Sequence, residues 1–199
     1  MARLGRADRR WICPFIEVRD ELSAKRLEVL KETAPRISRV AFVWNPEHAD
    51  NELDGAKRAS AAHGIALQTV RFARAAVSIM LSMPPRRRGI DAIYVVSSRQ
   101  TVANLPRIVD FATKNRLPLA GGWGAWAQAG GLVSYGPNVS EMVRQSALYV
   151  DKILKGAKPG ELPVMQPTHF ELVINLKTAK GLGLSIPESF LLRADKVIE

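Results

Sequence analysis

The stretch RVAFVWNP, Arg39 to Pro46, decides how the rest of this chain is read. Arg39 to Trp44 is a short apolar run rich in β-branched and aromatic residues, too short for a helix, and Asn45-Pro46 stops it as a turn. On its N-terminal side, Leu22, Leu27, Leu30 and Ala34 recur at helical spacing, and Pro35 ends that helix. On its C-terminal side a second helix is predicted from Ala49 to His63, with Gly64 at the capping position. A strand follows over Ile65–Phe72. The stretch Asp91 to Val96, DAIYVV, is apolar on both faces, which is the pattern of a strand inside a parallel sheet.

The alternation continues to the end of the chain. Helices are predicted over Thr101–Asn115, Ser140–Lys155, Leu176–Gly183 and within Pro187–Glu199. Strands are predicted over Leu117–Ala120, Gly130–Tyr135 and Phe170–Asn175. In the Ser140–Lys155 helix, Met142, Val143, Ala147, Val150, Ile153 and Leu154 form one apolar stripe, read as facing inward. Ala73 to Gly89 is the least regular segment, with Ala76, Ile79, Met80 and Met83 at helical spacing before Pro84-Pro85. Strand–helix–strand alternation with short connections gives an α/β fold, a Rossmann-like parallel sheet with helices on both faces.

Composition narrows the function classes. The chain has 199 residues, 47% apolar and 24% charged, the balance of a folded globular protein. The single cysteine, Cys13, excludes an internal disulfide, and His48, His63 and His169 lack metal-ligand spacing. The net charge of +10 raises the possibility of nucleic acid as a partner. Its distribution speaks against that: Arg3 to Arg10 and Arg86 to Arg88 are local clusters, while Lys25, Arg26, Glu28, Lys31 and Glu32 read as a solvated helix face. Met1 to Asp20 has no apolar core of secretory type, because Asp8, Arg9 and Arg10 interrupt it, so the chain as written is expected to stay in the cytoplasm.

No GxGxxG, GxxxxGK[ST] or GxSxG pattern occurs, so dinucleotide, P-loop and nucleophile-elbow chemistry lack their main support, and neither a cofactor nor catalysis is expected. In parallel α/β sheets, ligands sit beyond the carboxyl ends of the strands. That rule selects Trp44-Asn45-Pro46, Ser97-Ser98-Arg99, Gly121-Gly122-Trp123 and Ser134 to Asn138. The candidate ligand-binding residues are therefore Asn45, Ser97, Ser98, Trp123, Tyr135 and Asn138. Amides and hydroxyls would hold a polar end, and aromatic faces an apolar part.

Several blocks resemble a known family. YVDKILKGAKPGELPV (Tyr149–Val164) followed by QPTHFELVINLKTAKGLGLSIP (Gln166–Pro187) is similar to the C-terminal signature of ABC-transporter substrate-binding proteins of the aromatic-amino-acid-binding lipoprotein type. LSAKRLEVLKE (Leu22–Glu32), RVAFVWNP, and AGGLVSYGPN (Ala129–Asn138) resemble further blocks in the same order. The resemblance implies a type I periplasmic-binding-protein fold, with two Rossmann-like lobes closing on a small ligand such as an amino acid, an ABC permease as partner, and a periplasmic location. It also implies that most of the first lobe is absent. The expected organisation is an unmatched basic segment over 1–20, a second lobe over 21–134, and 135–199 as crossover and C-terminal segments completing the first lobe and hinge. The surface left uncovered is expected to favour a homodimer. The competing readings are a small flavodoxin-like enzyme and a basic nucleic-acid-binding protein.

Overall fold

A computed structural model describes residues 16–45, 52–72, 89–163 and 166–199. Its centre is a seven-stranded sheet ordered β2-β1-β3-β4-β5-β6-β7. The strands are β1 (Arg39–Trp44), β2 (Ala66–Arg71), β3 (Ala92–Val95), β4 (Leu119–Gly121), β5 (Val133–Pro137), β6 (Phe170–Asn175) and β7 (Lys196–Ile198). β1 to β5 are mutually parallel, β6 runs antiparallel to β5, and β7 is parallel to β6. One antiparallel strand in a parallel sheet is a common variant, and sequence periodicity does not reveal strand direction.

Helices cover both faces. α1 (Ile16–Thr33) and α2 (Glu52–Ala62) pack Leu27, Leu30, Ala56 and Ala59 against Val40, Phe42, Tyr94 and Val96. The same cluster takes in Ala179 of α7 (Leu176–Leu182) and Phe190 of α8 (Glu188–Leu191). Within it the Phe42 and Tyr94 rings stack 4.9 Å apart. On the opposite face, α3 (Arg99–Ala103), α4 (Leu105–Lys114) and α5 (Gly124–Gln128) lie over Val43, Ile93, Val95 and Leu119, with Ile108, Val109, Ala112 and Trp126 buried there. β1 and β3 are apolar on both faces because both faces are covered; β2, at the edge, has no buried residue.

Three sequence expectations change in detail. The Thr101–Asn115 helix is two helices broken at Asn104, because Pro106 in the first turn of α4 has no N–H to bond back into α3. Pro187–Glu199 holds only the single turn of α8 before the chain returns as β7. The second helix is described from Glu52, and Ala73 to Arg88, with its uncertain helix and arginine cluster, lies outside the described residues, as do Cys13 and His48.

The segment 135–199 divides physically. Residues 170–198 extend the one sheet, tied to it by Asn175, which accepts from the Thr178 N–H, donates to the Ala127 carbonyl at 2.9 Å and so fixes the start of α7. By contrast α6 (Val139–Leu154) has no buried residue at all. Val143, Val150 and Leu154 are 64%, 56% and 82% exposed. The apolar stripe read as inward-facing is left largely uncovered among the described residues.

Candidate ligand-binding site at the strand ends

The strand register places the candidate residues. Val43, Val95, Gly121 and Ser134 are successive partners across β1, β3, β4 and β5. One residue further along each chain come Trp44, Val96, Gly122 and Tyr135; the next row is Asn45, Ser97, Trp123 and Gly136. Side chains alternate between faces along a strand. Trp44 and Tyr135 accordingly pack toward α1 and α2, and Trp123 toward α4 and α5. The strand-end rule thus brings the four loops together, and the pleat divides their side chains between the two sides of the sheet edge.

Their hydrogen bonds separate them further. Ser97 Oγ accepts from the Trp126 indole N–H at 3.0 Å, which leaves its own hydroxyl proton to donate outward. Ser98 is buried and caps α3: its hydroxyl accepts from the Thr101 N–H while Thr101 Oγ1 accepts from the Ser98 N–H, a reciprocal capping box. Asn138 caps α6 by accepting from the Glu141 N–H at 2.9 Å and donates to Glu171 on β6 at 3.0 Å. Asn45 is 7% exposed and engaged. Tyr135 stacks against Phe170, its ring centroid 6.4 Å away. Trp44 ends β1 with an indole N–H that is buried and finds no partner among the described residues.

The glycines at these ends exist for closeness. A Cβ on Gly136 would lie 1.8 Å from the Gly122 carbonyl oxygen, and one on Gly121 would lie 2.2 Å from the Trp126 ring. The Gly121-Gly122 turn is therefore a packing requirement that draws the ends of β4 and β5 together.

What the sequence reading missed lies beneath this floor. Arg26 on α1, assigned above to a solvated face, is 3% exposed. Its Nε donates to the Tyr135 carbonyl at 2.6 Å, and its Nη1 donates to Glu52 at 2.9 Å and to the Tyr94 hydroxyl at 3.1 Å. Tyr94 in turn donates to the same Glu52 oxygen at 3.2 Å. Burial opposes the guanidinium charge, but Tyr94 and Glu52 outweigh it, and Arg26 is held above the ordinary arginine range. Burial pushes the Tyr94 phenol well above its usual value, Arg26 opposing and Glu52 adding. A signal was present: Arg26 stands four residues from both Leu22 and Leu30, on the buried stripe of the helix.

A sequence model of the family described as ABC transporter substrate binding protein matches residues 18–198. The chain belongs to that family. It is 22% identical over 169 residues to the tyrosine-binding protein of Clostridioides difficile (strain R20291), a match covering 80% of this chain and 47% of that one. Among solved structures it is similar to a conserved domain protein from Vibrio cholerae, with TM-score 0.78 and 28% identity, covering 88% of this chain and 60% of that one. An ABC domain from Streptococcus pneumonia, solved in complex with L-Trp, aligns with TM-score 0.76 and 24% identity, covering 89% of this chain and 60% of that one. The chain thus spans about half the length of the curated relative and three-fifths of these structures. The α/β architecture read from the sequence is the one these neighbours share.

Proposed function

We propose that this chain supplies one lobe of the substrate-binding component of an ABC importer. It would hold a small organic ligand of amino-acid type against the carboxyl ends of β1, β3, β4 and β5, acting outside the cytoplasmic membrane and handing the ligand to a permease without chemical change. The observation that carries the reading is the convergence of Trp44-Asn45, Ser97, Gly122-Trp123 and Tyr135 at one edge of a parallel sheet, where that fold binds ligands. Asn45 and the Ser97 hydroxyl would bond the polar end, and Trp123 and Tyr135 would wall the apolar part. Ser98 and Asn138 contribute by fixing their loops through the caps they make. An amino acid is chosen by analogy with the tyrosine-binding relative and the L-Trp complex.

The division of the chain follows α6. Its uncovered apolar stripe is where this reading seats the rest of a two-lobed unit, since the matched neighbours extend well past the aligned region. Residues 170–198 then belong with the lobe whose sheet they complete. Titration calorimetry of the purified chain with L-tryptophan and L-tyrosine tests the ligand reading. The expected result is saturable binding, weakened by Tyr135→Ala and by Asn45→Ala. Binding by both variants equal to that of the parent chain, or none by the parent, overturns it.

A further inference from the structure

One side chain that faces away from solvent is bonded to a loop of the candidate site and to residues beside it. We infer that Arg26 is a positioning residue of the ligand site, setting the relative height and orientation of the ends of β3, β4 and β5; the inference deepens the ligand-binding reading and rests on it for its meaning.

The geometry supports this in three respects. Arg26 bonds to the Tyr135 carbonyl on β5, to Tyr94 three residues before Ser97, and to Glu52, the first residue of α2. It also fills the space above β4, since a Cβ on Gly122 would fall 2.9 Å from Arg26 Nη2 and one on Gly136 3.2 Å from it. Finally, a buried ion pair is a poor way to hold such a place for stability alone, because an apolar side chain of like volume serves as well or better. What a planar guanidinium adds is direction: rigid N–H vectors that fix several partners in one plane. A binding site needs that, because its groups must be held to within a fraction of an ångström.

The test compares Arg26→Met/Glu52→Leu, which removes both charges and keeps the volume, with Arg26→Lys, which keeps a charge and loses the fork. Amide hydrogen exchange over 96–98, 121–124 and 135–138 is read beside affinity for L-tryptophan. The double variant is expected to stay folded by circular dichroism, to exchange faster in those three segments, and to bind about tenfold or more weakly. Arg26→Lys is expected to rescue neither. Unchanged exchange in the three segments of the folded double variant overturns the role of Arg26 whether or not ligand binds. Faster exchange in a chain whose parent binds no amino acid upholds the positioning role and sinks the ligand assignment instead. If the double variant unfolds, Arg26→Lys decides: parent-like exchange and affinity in it would refute the need for the fork.

Discussion

Replacing Glu52 by Gln should cost far more than its small change in volume suggests. Glu52 and Arg26 have side chains 7% and 4% exposed, 2.9 Å apart. Neither is screened appreciably by solvent, so the surface-pair value of under about 1 kcal/mol does not apply. The neutral amide leaves the Arg26 guanidinium, fully enclosed, without its compensating charge, and turns one of the two carboxylate oxygens into a donor. Breaking a buried pair in this one-sided way costs about 3–5 kcal/mol. Against a total stability of about 5–15 kcal/mol, that is a large share. At roughly 2–4 °C per kcal/mol for a chain of this size, Tm should fall by on the order of 6–20 °C. Removing both charges with Arg26→Met/Glu52→Leu should cost much less, because no orphaned charge remains. Urea unfolding followed by circular dichroism gives both numbers. If the single substitution cost less than about 1 kcal/mol, or no more than the double one, the claim that this pair is buried and mutually dependent would fail.

Three further outcomes are expected. Gly136→Ala places a methyl 1.8 Å from the Gly122 carbonyl and should destabilise the chain severely or prevent soluble expression, whereas Gly160→Ala meets nothing within 4 Å and should leave Tm unchanged. Tyr94, with its folded-state pKa raised by burial, binds its proton more tightly folded than unfolded. Its contribution to stability is therefore complete below the ordinary phenol value of about 10 and is lost as pH rises above it, so phenolate absorbance from Tyr94 should appear only together with alkaline unfolding. The uncovered stripe of α6 should pair with a second copy in the isolated chain; Val143→Lys/Val150→Lys, both at exposed positions, should suppress that association with little change in stability. Light scattering that finds the parent chain a compact monomer at high concentration would refute the pairing.

The sequence alone determined the elements and the class of sheet, because local periodicity and breakers act over a few residues. RVAFVW, DAIYVV and FELVIN are strands where their composition placed them, and Gly183 closes α7 in the left-handed conformation that its position demanded. The sequence also picked out the four strand-end loops, since the order of strands and helices fixes which turns lie at the carboxyl edge. Tertiary structure decided what composition leaves open. The direction of β6 depends on where the chain re-enters after α6, which no local pattern encodes. The amphipathic stripe of α6 reads like any core-facing helix; only the fold shows that no described residue buries it. Ser97 and Ser98 are adjacent and chemically identical, yet the hydroxyl of one meets Trp126 and that of the other caps α3. Arg26 looks like its exposed neighbours in composition, and becomes a buried, bonded side chain only because Glu52, Tyr94 and Tyr135, distant in sequence, arrive around it. A charge can be buried only where its partners converge, and that convergence is a property of the fold rather than of any one segment.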